Sequence, residues 1–285
     1  HVADHLRLVV EGDEELFGSQ GLQGARMAVS EINAAGGVLG GRPLELVIED
    51  EKTDLKTAIE KTEQVILRDK VTAVMGPTSS AHRNAMIEIC TRHRTPLLYG
   101  TDYEGGCCYR YLVCYSPIPD HYVKPLIPYL MQNDGKAFYL LGADYVWPIQ
   151  MSAAIKAEVL RSGGSVVGEE YLPLEAKEFE GHFKEIVRSG ATVVVMMLSG
   201  LAGQIFIRRF SELGLQGKVK LVVPAFNENY LPGLRKKEAE GIVTCNPFLA
   251  NLDRPEARDF VSRQKKMFGP NAVVSEVWLA KRKPD

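Results

Sequence analysis

Thr78, Ser79 and Ser80 place three hydroxyls in succession, directly after the apolar run Val71 to Met75 and a Gly76-Pro77 turn. Capping the start of a helix needs only one such hydroxyl. The others are then available to the polar end of a ligand, and at this position both uses stand. Tyr99-Gly100-Thr101-Asp102-Tyr103-Glu104-Gly105 follows the next apolar run. It reads either as a surface loop with its aromatics lying flat, or as an aromatic wall with hydrogen-bonding edges of the kind small-molecule sites use. Gly142-Ala143-Asp144-Tyr145-Val146-Trp147-Pro148 occupies the corresponding place later in the chain. Tyr145 and Trp147 there are core residues on one reading and a ligand-facing wall on the other.

Other chemistry is thin. The sequence has no Gly-x-Ser-x-Gly elbow and no paired metal-ligand motif, so nucleophilic and metal-assisted catalysis lack a constellation. His82 and His93 are too far apart on one helix to share an ion, and each reads as a solvated surface histidine. Gly36-Gly37-Val38-Leu39-Gly40-Gly41 invites a phosphate-loop reading, but it follows a helix and opens a strand, the reverse of what such a loop needs. It is an end-of-helix turn. No cofactor is expected. Cys107, Cys108 and Cys114 cluster, while Cys90 and Cys245 stand apart and read as buried free thiols. For Cys108 and Cys114 a local disulfide across a turn is a further reading.

The elements that must position these segments alternate from end to end. Strands are expected at Leu6 to Val10, Leu44 to Ile48, Val71 to Met75 and Pro96 to Tyr99, with helices between them at 3.6-residue spacing. After Pro117-Ile118-Pro119 the alternation begins again, with strands at Phe138 to Leu141, Val166 to Leu172, Thr192 to Met197 and Lys220 to Val223. The intervening helices are Ile149 to Leu160, Phe179 to Val187 and Ala202 to Leu213. Strands alternating with helices imply parallel sheets covered on both faces. Two such series imply an α/β protein of two doubly wound lobes joined by hinge crossings. One lobe is expected at 1–117 with 244–285, the other at 118–243. Ligands of open parallel sheets bind beyond the carboxyl ends of the strands, where the three polar segments fall.

Composition agrees with an ordinary globular chain. Its 285 residues exceed a usual single core, and it is 45% hydrophobic and 25% charged with a net charge of −2. No basic face for nucleic acid or anionic membrane is implied, and apolar runs such as Ala191 to Leu198 are too short to span a bilayer. His1 to Gly12 lacks the pattern of a secretory leader, so a cytoplasmic protein and one whose leader was removed are equally compatible.

At its polar junctions the sequence resembles the type I periplasmic binding proteins that serve ABC transporters, in particular their urea- and short-chain-amide-binding branch. The resemblance runs from about Leu6 to about Ser275. Ala28-Val29-Ser30-Glu31-Ile32-Asn33-Ala34-Ala35-Gly36-Gly37 and Gly40-Gly41-Arg42-Pro43-Leu44 mark the superfamily. Val167-Gly168-Glu169-Glu170-Tyr171-Leu172-Pro173-Leu174 also belongs to the resemblance, while Tyr103-Glu104-Gly105 and Asp144-Tyr145-Val146-Trp147-Pro148 favour the urea and amide branch. The resemblance implies a receptor that closes on a small polar solute, catalyses nothing, resides in the periplasm or is anchored outside the cell, and delivers to a membrane permease. Position by position it places Ser80, Tyr99, Thr101, Tyr145, Trp147 and Glu228 around one cleft between the lobes, with Thr78 and Ser79 beside them. Trp147 stands where Tyr or Phe is usual, Thr78 where a large aromatic is common, and Gly100 and Asp102 where Pro, Val or Gln is. A cytoplasmic amide-sensing regulator and an amino-acid receptor are the alternatives. Relatives continue past the point where this chain ends in Ala280-Lys281-Arg282-Lys283-Pro284-Asp285, so the C-terminal part is expected to be truncated and the helix begun at Ser275 cut short.

Overall fold

The computed structural model describes residues 6–11, 18–52 and 54–273. The chain divides into two compact units, the first comprising His1–Ser116 with Phe248–Asp285 and the second Pro117–Pro247. Any helix begun at Ser275 lies outside the described residues.

In the first unit five parallel strands stand in the order β2-β1-β3-β4-β5, with β1 at Leu6–Glu11, β2 at Leu44–Glu49, β3 at Ala73–Met75, β4 at Leu97–Tyr99 and β5 at Leu112–Cys114. Helices α1 (Gly18–Ala34), α2 (Leu55–Leu67) and α3 (Ser80–Arg92) connect them. Positive φ at Gly36 and Gly37 ends α1 and turns the chain toward β2. The core joins Val65 and Ile66 of α2, Met86 and Ile87 of α3, and Val74 and Leu97 of the sheet. Strand β5 was not expected from the sequence. Its three residues are too few to show a period, and its register opposite β4 pairs Tyr99 with Cys114.

The second unit repeats the scheme with four parallel strands in the order β7-β6-β8-β9, built from β6 (Ala137–Ala143), β7 (Ser165–Leu172), β8 (Val193–Met197) and β9 (Lys220–Val222). It opens with α4 (Pro119–Asn133), followed by α5 (Val146–Arg161), α6 (Glu180–Arg188) and α7 (Gly200–Glu212) between strands. Alternate residues of β6 and β8 feed two cores, as a sheet covered on both faces requires. Phe138, Leu140, Val193 and Val195 meet Ile127 and Leu130 of α4 and Ile155 of α5. Tyr139, Leu141, Val194 and Met196 meet a cluster of four phenylalanines, in which the Phe206 ring lies 4.7 Å from Phe183 and 5.4 Å from Phe179. Each such fully buried ring contributes about 1.5–3 kcal/mol of transfer free energy. Short helix α8 (Lys236–Ala239) follows β9, and Val243 then bridges Val222 in parallel before the chain returns to the first unit, where α9 (Pro255–Phe268) packs on α1 through Gln264 and Gln23 at 3.1 Å.

Two readings are corrected. His82 is buried, at 7% exposure, not a solvated surface residue, because the first turn of α3 carries it against the Glu51 carboxylate, Nδ1 lying 3.4 Å from Oε1. Cys108 and Cys114 are free thiols, as are the other three cysteines. Cys114 is fixed on β5 beside Tyr99, whereas Cys108 lies exposed on the preceding loop. Burial pushes the Cys114 thiol up to about 11.

Candidate functional site

In the first unit the polar residues gather where β3 and β4 end and α3 begins. Ser79, with extended backbone, is the N-cap of α3, its Oγ accepting from the His82 N–H at 3.2 Å. This answers the capping question: one hydroxyl caps, and the next, Ser80, is released for other work. Ser80 is buried, and its Oγ donates to Glu104 Oε2 at 2.7 Å. Arg83 lies three residues on, hence on the same helix face. It is wholly buried, bonds the other oxygen of Glu104, and approaches Ser80 Oγ at 3.4 Å and Asn84 Oδ1 at 2.8 Å. Its guanidinium also stands 5.0 Å from the Tyr99 ring centroid and 5.6 Å from that of Tyr103, while the two rings meet edge to face at 6.2 Å.

The charges in this knot are mutually set. Burial tends to raise the Glu104 carboxyl, but the hydrogen bonds from Arg83 and Ser80 outweigh it and hold the group below its ordinary value. Tyr99 is raised by burial, against the nearby Arg83 charge, and stays neutral. Its hydroxyl donates to the Thr78 carbonyl at 3.4 Å, and Thr101 Oγ1 donates to the Pro77 carbonyl at the same distance. The Thr101 carbonyl in turn accepts from Ser116. Gly100 is required here: a Cβ would sit 2.4 Å from the Tyr115 hydroxyl, so the bare backbone admits that ring.

In the second unit the matching face lies where β6, β8 and β9 end. Tyr145 is the N-cap of α5, and 36% of it is exposed. Desolvation raises its hydroxyl, opposed by a hydrogen bond with Ser199, the N-cap of α7. Trp147, in the first turn of α5, is half-buried and packs against the core cluster that α4 and α5 form with the sheet. Its indole N–H is buried and finds no hydrogen-bond partner among the described residues. Glu228 is half-buried on the turn after β9, in which Asn227 Oδ1 accepts from the Asn229 N–H at 3.0 Å and the Phe226 carbonyl accepts from Thr244 at 3.1 Å.

Ser80, Tyr99 and Thr101, with Thr78 and Ser79, therefore share one neighbourhood in the first unit. Tyr145, Trp147 and Glu228 occupy strand-end positions of the second. Arg83 was not singled out in the sequence, and Glu104 only as part of the Tyr103-Glu104-Gly105 motif, with no role in the site. An arginine one turn after a helix-start serine, with an acid in the facing loop, is the pattern that would have found them. Among the described residues no group of His, Cys, Asp and Glu is arranged to hold a metal ion, and no helix is long and apolar enough to cross a membrane.

A family model for periplasmic binding proteins matches residues 9–281. Leu/Ile/Val-binding protein homolog 6 of Brucella melitensis is 31% identical over 137 residues, 47% of this chain and 35% of that protein. The chain thus matches about a third of the length of these curated relatives. Among solved structures, an ABC transporter substrate-binding protein from Sphaerobacter thermophilus superposes with a TM-score of 0.84 at 24% identity, over 97% of this chain and 78% of that one. A solute-binding protein from R. palustris in complex with 4-hydroxybenzoate gives 0.86 at 21% identity, over 97% and 77%. The branched-chain amino acid transporter substrate-binding protein of Streptococcus pneumoniae, in complex with isoleucine, gives 0.85 at 19%, over 97% and 81%. At these identities the solved structures speak to the fold: two parallel sheets with crossover helices, as found here. The family model spans both units and nearly the whole chain, and the chain belongs to the periplasmic binding protein family.

Proposed function

We propose that this protein is an extracytoplasmic receptor that closes on a small polar solute, urea or a short-chain amide, and presents it to an ABC-type membrane permease. The observation that carries the reading is the grouping of Ser80, Tyr99 and Thr101 at the carboxyl ends of β3 and β4, against the start of α3. Hydroxyl oxygens, aromatic faces and helix-start N–H groups suit a neutral planar molecule. Tyr145, Trp147 and Glu228 are proposed to join the solute from the second unit, and the reading assigns the protein no catalysis.

A branched-chain amino acid is the second reading, favoured by the names of the Brucella relatives. A thermal-shift screen of urea, acetamide, butyramide, isoleucine and 4-hydroxybenzoate separates the two. A solute at a hundred times its Kd stabilises the native state by about 2.7 kcal/mol. Stabilisation by urea or the amides is the expected result, and stabilisation by isoleucine alone would transfer the assignment to amino acids. Calorimetry with Ser80→Ala and Tyr145→Ala then tests the walls. The first is expected to weaken binding by about 0.5–1.5 kcal/mol and the second by more, since it loses ring contact as well.

A further inference from the structure

The hydroxyls of the first unit share a property that no single one displays. A serine, threonine or tyrosine hydroxyl has one proton and lone pairs that accept. Ser80 gives its proton to Glu104 Oε2, Tyr99 to the Thr78 carbonyl, and Thr101 to the Pro77 carbonyl. For Ser80 the direction is forced. An ionised carboxylate can only accept, and Arg83, which faces both Ser80 Oγ and Glu104, can only donate. Arg83 is fully buried and Glu104 nearly so, which fixes the pair and with it the serine rotor.

We infer that Glu104 and Arg83 determine specificity: by taking the Ser80 proton they leave Ser80 an acceptor, so the site selects a solute that donates an N–H there and rejects a carboxylate. This rests on the receptor reading and narrows it to primary amides and ureas. An amide NH2 meets the remaining lone pair of Ser80. A carboxylate brings only further lone pairs, next to an anionic Glu104, and binds only by breaking the Ser80–Glu104 bond. Thr101, half-buried and with its own proton on the Pro77 carbonyl, presents an acceptor in the same way.

Matched probes test this directly. Kd values are measured by calorimetry at pH 7 for urea, butyramide against butyrate, and benzamide against benzoate. The wild type is expected to favour each amide over its acid by on the order of tenfold or more. Ser80→Ala keeps the Arg83–Glu104 pair and should shrink that ratio. Glu104→Gln can donate its own NH2 to Ser80, which frees the serine proton and should move the ratio toward the acids. A wild-type preference for the acids, or a ratio unmoved in Ser80→Ala, overturns the inference while leaving the receptor reading in place. Failure of urea and of both series to bind overturns the receptor reading for these solutes and the inference with it.

Discussion

Glu104→Ala is the perturbation with the largest expected consequence for the first unit. Arg83 has 0% side-chain exposure and Glu104 has 13%, so the ion pair is a buried one. Deleting the carboxylate leaves the guanidinium with the Asn84 amide oxygen at 2.8 Å, a 3.4 Å approach to Ser80, and two ring faces at 5.0 and 5.6 Å. Those partners are present before and after the change and offset nothing. An uncompensated buried charge costs about 3–5 kcal/mol, a large fraction of a typical stability of about 5–15 kcal/mol. Guanidinium chloride denaturation followed by circular dichroism should show the midpoint falling accordingly. Replacing both partners with Arg83→Met and Glu104→Leu removes the charge along with its partner, and should cost less than the two single changes summed. The pair also predicts a pH dependence. Its folded carboxyl lies below the ordinary 4.5, so the stabilisation is present above that value and is lost as pH falls through the folded pKa. A Glu104→Ala cost below about 1 kcal/mol, or strict additivity in the double variant, would refute the claim that this pair organises the site.

Two other expectations concern groups the sequence misplaced or left open. His82 is raised above 6.5, chiefly by its contact with Glu51 and against burial, with Asp54 adding a smaller push. The sign is therefore opposite to that of Glu104: the pair's stabilisation is full below 6.5 and declines as pH rises through the folded pKa. Titrating the His82 ring proton by NMR should give a midpoint above 6.5, and a midpoint below it would refute the buried pairing. For the cysteines, alkylation of the native protein at pH 8 followed by peptide mass analysis should label Cys108 first. The raised thiol of Cys114 and the buried Cys90 should lag until denaturant is added. Equal labelling of Cys108 and Cys114 would count against the placement of Cys114 on β5.

The readable part of this fold was the part written in periodicity. Strands such as β6 and β8 are buried on both faces and consist of unbroken aliphatic and aromatic runs, so both were found within a residue or two. Helix α4 was hidden by its own prolines. Pro117 and Pro119 read as a break, yet Pro119 takes the first helical position, where no N–H is needed, and Tyr122, Val123, Leu126, Ile127 and Leu130 bury one face despite Pro125 and Pro128. Helix α9 was hidden for the opposite reason, since it carries few apolar residues and buries only Ala257 and Gln264. His82 looked like a surface residue because the partner that draws it inward, Glu51, lies 31 positions earlier on a loop after β2. Spacing along one helix carries no record of a contact made across the sheet.

The same limit explains why the candidate site was legible in its hydroxyls but not in its polarity. A serine after a strand and before a helix announces a polar end-group, and Ser79 and Ser80 do so equally from sequence. Which of them caps the helix, and whether the other donates or accepts, depends on where Arg83 and Glu104 arrive. Arg83 comes from the same helix one turn on, and Glu104 from the loop that leaves β4, so only the pairing of β3 with β4 brings them together. Once there, they hold the serine hydroxyl in one direction before any solute arrives. That arrangement commits in advance the ordering a binding partner would otherwise have to supply. A hydroxyl whose proton is already engaged by a buried, arginine-held carboxylate discriminates between ligands by what it refuses, which side-chain type alone does not reveal.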